Sequence, residues 1–392
     1  MNPATDVGKR NLPLGLRNRF TELYVEELEN EGDLRILVSD YLKGLNPHRN
    51  IISGIISFYL AVRKEAHSHL VDGTGHRPHY SLRTLCRALK YVAANPCCSG
   101  FCLSFLTQLD RSSHPVVQKL VCQHILMGNT KCLKQSIPAP SDRPCVDVEG
   151  YWVSQGEMEP ALDPSYILTA SVKLNLRDLS RVVSAGTHPV LIQGETSVGK
   201  TSLIHWLAAA TGNQCVRINN HEHTDIQEYI GCYSSDSRGK LVFKEGTNTH
   251  QPAGTTVADA SISNVLLHVT PSLSPLCVLI DAMRKGYWII LDELNLAPTD
   301  VLEALNRLLD DNRELFVAET QEVIKAHPRF LLFATRIPLD STAVLSRAFR
   351  NRFVELHFDE LPSAELETIL HQRCSLPPSY CSKLVKVMQD LQ

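Results

Sequence analysis

Gly194-Glu195-Thr196-Ser197-Val198-Gly199-Lys200-Thr201 matches the pattern G-x-x-x-x-G-K-[ST] at every fixed position. The run His188-Pro189-Val190-Leu191-Ile192-Gln193 precedes it and reads as a short strand, and Thr201 to Ala210 follows with helical spacing. A phosphate site needs a loop of this kind between a strand and a helix. The glycines let the backbone turn its N–H groups toward phosphate oxygens, and the following helix presents its positive end. Lys200 supplies a point charge toward the β- and γ-phosphates, and Thr201 supplies an oxygen to Mg2+. Gly194 to Thr201, with Ser202 beside them, are the candidate nucleotide-binding residues.

Working outward, the second landmark is Trp288-Ile289-Ile290-Leu291-Asp292-Glu293. A buried apolar strand that ends in two carboxylates is costly unless a cation meets them. Asp292 is the candidate Mg2+ ligand beside Thr201, and also contacts the nucleotide site. Glu293 is the candidate base that orients and deprotonates the attacking water. No N-K-x-D guanine-specificity motif is visible, so the expected cofactors are ATP and Mg2+. Cys215-Val216-Arg217-Ile218 and Arg329-Phe330-Leu331-Leu332-Phe333-Ala334 read as further strands, and Leu174 to Val183 as a helix. Strands alternating with helices predict an α/β fold with a parallel sheet between helices.

Upstream, residues 31–130 carry apolar residues at three- and four-residue steps and predict an all-helical domain. Pro138, Pro140 and Pro144 interrupt the pattern, and residues 131–167 read as a linker. Arg17-Asn18-Arg19-Phe20-Thr21-Glu22-Leu23-Tyr24-Val25-Glu26-Glu27-Leu28 returns as Arg350-Asn351-Arg352-Phe353-Val354-Glu355-Leu356-His357-Phe358-Asp359-Glu360-Leu361. The interval is far too long for a solenoid and points to a repeated domain, entered late in its first copy.

Composition excludes several classes. The net charge of -3 gives no electrostatic case for broad nucleic-acid or membrane binding. The first residues lack the apolar core of a secretory signal, and Asn50 to Val62 is too short to span a bilayer and reads as a buried helix. The 12 cysteines show no zinc-ribbon spacing and are expected to be reduced thiols of an intracellular chain.

With the phosphate loop, acidic strand end, later strand and Arg-Asn-Arg-Phe in this order, the α/β region resembles the core of the AAA+ ATPases. Three stretches are specific to the dynein-related AAA+ proteins of large ribosomal subunit assembly: Gly194 to Leu203, Asn219 to Gly231, and Leu291 to Pro298. The resemblance implies a slice through two tandem modules. Residues 1–30 would end a first core, 31–130 would be its helical lid, 168–361 a second core, and 362–392 the start of a second lid. A bacterial MoxR-like or metal-chelatase ATPase would share the core but not the tandem remnant.

The same resemblance implies residue roles and partners. Asn2 would be the polar sensor of the first core, with Arg17 and Arg19 at its arginine finger and Arg83 at the sensor-2 position. Arg352, with Arg350 second, would be the finger that the second core offers in trans to a neighbouring module. Implied partners are neighbouring modules of a ring, together with pre-ribosomal large-subunit particles and their assembly factors. The implied place is the nucleus, in nucleolus and nucleoplasm. No membrane and no sequence-specific nucleic acid are expected.

Two departures from the family stand out. Ile337 falls where a sensor asparagine is expected, and an aliphatic group cannot hold a catalytic water; Thr335 is the candidate substitute. Residues 247–277 are inserted, with Asp259 their only charged residue, and read as a mobile loop. The expectation is nucleotide binding, with turnover only in a complete ring. The competing reading is a nucleotide-binding interaction module that does not turn over alone.

Overall fold

Apolar stripes at helical spacing need a partner surface, and the helices between residues 31 and 124 supply one another with it. The structure, a computed structural model, describes residues 13–391 apart from 26, 96–98, 129–136, 138, 141–142, 187, 225–228, 230–231, 236–240, 245–277, 318–320 and 338–344. The insertion at 247–277 and the Asn2 position lie outside the described residues. Helices α1 (Glu31–Tyr41), α2 (Arg49–Ser68), α3 (Leu82–Ala94), α4 (Ser99–Phe105) and α5 (His114–His124) form a helical body. Asn30 caps α1 by accepting from the Gly32 N–H at 2.7 Å, which fixes where the first helix starts. Phe58 sits edge-to-face on Phe101 and Phe105, with centroids 5.6 and 5.2 Å away, and anchors the body's core.

A hairpin follows, made of β1 (Cys145–Val148) and β2 (Tyr151–Ser154). It corrects the expectation of a linker through 131–167. Val148 and Val153 are buried in the α/β core, and the turn uses Glu149 and Gly150, both at positive φ. Four-residue strands beside a proline run are too short for periodicity to reveal.

The α/β body then runs α6 (Ala170–Ala185), β3 (Val190–Gln193), α7 (Lys200–Ala210), β4 (Cys215–Asn219), the hairpin β5 (Cys232–Ser235) and β6 (Leu241–Lys244), α8 (Val278–Lys285) and β7 (Trp288–Asp292). It continues through α9 (Thr299–Leu309), the hairpin β8 (Glu314–Val317) and β9 (Glu322–Lys325), β10 (Leu331–Arg336) and β11 (Val354–His357). Helices α10 (Ser363–Cys374) and α11 (Pro378–Leu391) close the chain. The central sheet is parallel throughout, in the order β11-β3-β10-β7-β4.

Its strands are nearly continuous apolar runs because both faces are covered. Ile289, Leu291, Leu332 and Ala334 face α8 and α9, while Trp288, Ile290, Leu331 and Phe333 face α6 and α7. The strand order reverses at β3, where α/β folds open a crevice at the carboxyl ends of the strands. The phosphate loop leaves β3 at that point.

The helical body docks on the α/β body through β11 and α6. Arg87 donates to three backbone carbonyls: Phe353 at 2.9 Å, Asn351 at 3.0 Å and Arg352 at 3.3 Å. Arg111 reaches Asp178 at 2.7 Å and Asn175 at 3.0 Å. A Cβ on Gly73 would lie 1.9 Å from the His357 ring, so only glycine permits this approach. Among the described residues no helix is long and apolar enough to cross a membrane.

Candidate active site

The loop between β3 and α7 contains two left-handed residues, Ser197 at φ 66° and Gly199 at φ 87°. Gly199 occupies the position just before α7, in a left-handed conformation where a side chain would be strained. Lys200 opens the helix. Its ammonium donates to the carbonyl oxygens of Gly194 and Glu195, both at 2.7 Å, which fastens the lysine across its own loop. Burial pulls this ammonium below the usual lysine range, and Asp292, Glu195 and Glu293 oppose the shift.

Thr201 faces Asp292, and its hydroxyl donates to the two carboxylate oxygens at 3.2 and 3.3 Å. The hydroxyl of Thr335, on the strand between β3 and β7, also donates to Asp292. The same hydroxyl accepts from the Glu293 N–H at 3.0 Å. Glu293 turns through φ 53°, which ends β7 and separates its direction from that of Asp292. Thr335 thus links both members of the acidic pair. Ile337 stands half-buried just beyond.

The donor set suits a hard divalent cation. A hydroxyl and a carboxylate meet at the mouth of the phosphate loop, both of them oxygen donors of the kind Mg2+ takes with few protein ligands. These residues bring together Gly194 to Ser202, Asp292 and Glu293 at one end of the sheet. Sequence reasoning missed Arg217 on β4, whose guanidinium also contacts Asp292. The available clue was a charged residue interrupting an otherwise apolar strand.

Arg352 lies elsewhere. It precedes β11, at the end of the sheet opposite the carboxyl termini of the strands. Its Nε donates to Asp310 at 2.9 Å, and Nη1 donates to the Ala348 carbonyl at 2.8 Å. Arg83 of α3 approaches the same Asp310 at 3.6 Å. Arg350 pairs instead with Glu355, at 2.9 and 2.6 Å. Arg83 and Arg352 border a cleft of about 690 Å³ between the helical body and the sheet, with Arg87, Lys90, Arg313 and His188 around it. The structure therefore joins Arg83 to Arg352 and sets both apart from Lys200.

Comparison with known proteins matches this division. A family model described as "Midasin AAA lid domain" covers residues 33–128, and one described as "AAA domain (dynein-related subfamily)" covers residues 189–353. Midasin of Dictyostelium discoideum is 46% identical over 415 residues, which take in 100% of this chain and 6% of that protein. The chain belongs to the midasin family. Midasin of Giardia intestinalis is 35% identical over 438 residues, covering 100% of this chain and 8% of its own length. The chain thus spans less than a tenth of the midasins it matches. The denitrification regulatory protein NirQ of Stutzerimonas stutzeri is 29% identical over 206 residues, covering 52% of this chain and 63% of NirQ. The midasin matches extend through the helical body, and the NirQ match takes in about half of the chain. As an AAA+ module the chain is of a kind that binds nucleotide, commonly with Mg2+, and that has ring-forming neighbours.

Proposed function

We propose that the chain binds ATP and Mg2+ at the loop 194–201 and works as one link of a midasin-type ring. In that reading ATP hydrolysis drives remodelling of pre-ribosomal large-subunit particles, releasing assembly factors before export, in the nucleolus and nucleoplasm. The observation that carries the nucleotide assignment is the meeting of Thr201, Thr335 and Asp292 beside Lys200 at the switch point of the sheet. Thr201 and Asp292 would hold Mg2+, which would supply charge neutralisation for the phosphates. Lys200 would leave its loop carbonyls for the phosphates. Glu293, set apart from Asp292 by its left-handed turn, would orient the attacking water.

A second reading, nucleotide binding without turnover by this chain alone, is favoured by the position of Arg352. A finger stabilises charge that develops on the transferred phosphoryl group, and here both Arg352 and Arg83 are at the far end of the sheet from Lys200. They would serve a nucleotide held by a preceding core. The loop at 194–201 would in turn depend on an arginine from a following one.

Titration of the chain with a fluorescent ATP analogue and Mg2+, beside Lys200→Ala, tests both readings when phosphate release is followed in the same samples. Binding should weaken by at least about 100-fold in the variant, the loss of charge-assisted contacts to two phosphates. Phosphate release should be close to background. Steady turnover by the monomeric chain would overturn the second reading, and equal binding by Lys200→Ala would overturn the first.

A further inference from the structure

Asp292 is buried, and a buried carboxylate needs either a cation or a full set of donors. Its oxygens accept from Thr201, Thr335 and Arg217. Two of these donors are neutral hydroxyls. Lys200 is turned onto the Gly194 and Glu195 carbonyls, and among the described residues the cation paired with Asp292 is Arg217. Arg217 comes from β4, the edge strand of the sheet, and 47% of its side chain stays exposed. His205 of α7 shares this corner; burial holds its imidazole below the ordinary range, and Arg217 adds to the effect.

We propose that Arg217 is a counter-ion of Asp292 that competes with Mg2+ for its carboxylate, so that it sets the metal requirement of the site. The inference rests on the nucleotide assignment above. A lone pair of Asp292 can accept a guanidinium N–H or coordinate a metal, but not both at once. Two cations at contact distance from one carboxylate also repel each other. The half-exposed stem of Arg217 lets it swing into solvent at small cost. A fully buried arginine would not leave, and a threonine in its place would leave Asp292 charged and without a counter-ion.

The experiment measures affinity for a fluorescent ADP analogue across a Mg2+ titration, with bound Mn2+ counted by electron paramagnetic resonance in parallel. The chains are wild type, Arg217→Ala, Arg217→Gln, Asp292→Asn and the double variant Arg217→Ala/Asp292→Asn. The half-saturating metal concentration should fall about tenfold in Arg217→Ala, the value of one charge-assisted hydrogen bond. Arg217→Gln, which keeps a donor and the bulk of the stem, should fall between. Melting of Arg217→Ala should be lowered without ligand and restored by Mg2+ and ADP. In the Asp292→Asn background, removing Arg217 should leave the metal midpoint where it was.

An unchanged metal midpoint in both Arg217 variants would overturn the proposal. So would a weaker nucleotide affinity at saturating Mg2+, which would make Arg217 a phosphate contact. If the wild-type chain binds no nucleotide, or Lys200→Ala binds equally well, the nucleotide assignment fails and the proposal fails with it.

Discussion

The same twelve-residue motif occurs twice in this chain, and its two copies have opposite surroundings. Phe353, Leu356 and Phe358 are 2%, 1% and 1% exposed, because β11 pairs with β3 and packs beneath the helical body. Their counterparts Phe20, Leu23 and Val25 are 64%, 86% and 86% exposed. One feature is common to both. Arg350 holds Glu355 at 2.9 and 2.6 Å, and Arg17 holds Glu22 at 2.5 Å through each of two nitrogens. The ion pair five residues apart is therefore a local property of the motif. The strand is not: extended residues need a neighbouring strand to satisfy their N–H and C=O groups. Among the described residues only the second copy pairs with a neighbouring strand.

The largest separation of the two copies should come from truncating their aromatic residues. Phe353→Ala is expected to lower unfolding free energy by about 3–5 kcal/mol, the usual cost of a cavity of that size. Phe20→Ala should stay within about 0.5 kcal/mol. Urea unfolding of both variants measures the contrast, and similar losses would mean that the first copy is also packed in solution.

The ion pairs should separate by less. Glu355 also accepts from the Gln193 amide at 2.7 Å, and its side chain is largely buried, so Glu355→Gln leaves Arg350 without a carboxylate. A loss of about 2 kcal/mol is expected, below the cost for a fully buried pair because Arg350 keeps some water. Glu22→Gln should give no measurable change, since both partners are in solvent. Denaturant midpoints with and without high salt would separate the cases: salt should leave the Glu355 effect in place.

The smallest effect belongs to pH. His188 precedes β3, where the Pro189 carbonyl accepts from the Val354 N–H at 2.8 Å and so starts the pairing of the buried copy. Burial, with Arg87, Lys90 and Arg313 nearby, pushes its imidazole down to about 3, from 6.5 in a free chain. The unfolded chain takes up the proton first, so this contribution is complete above pH 6.5 and is lost as pH falls toward 3. The ring still borders the cleft, so a loss of about 1 kcal/mol between pH 6.5 and 5 is expected, less than a fully enclosed histidine would give. His188→Gln should flatten that slope, and an unchanged slope would place the titration on other histidines.

The phosphate loop, the acidic pair and the alternation of strands and helices were legible in the sequence because each is local. Periodicity and turn residues encode them within a dozen positions. The hairpin at Cys145 to Ser154 was not, since its strands are shorter than the window in which alternation becomes visible. Arg217 meets Asp292 across 75 positions, and Arg87 meets the Arg352 segment across about 265. No spacing rule spans such distances. The double contact of Thr335 with Asp292 and Glu293 needed the strand order, with β10 between β3 and β7.

Each copy of the motif is followed by helices, α1 after Leu28 and α10 after Leu361, so a motif and its helices are neighbours in sequence. The unit that packs is different. Arg87 clamps the helices that follow the first copy onto the backbone of the second. Neighbours in sequence and partners in packing are thus different sets. A substitution in α3, close in sequence to the first copy of the motif, is therefore felt at the second.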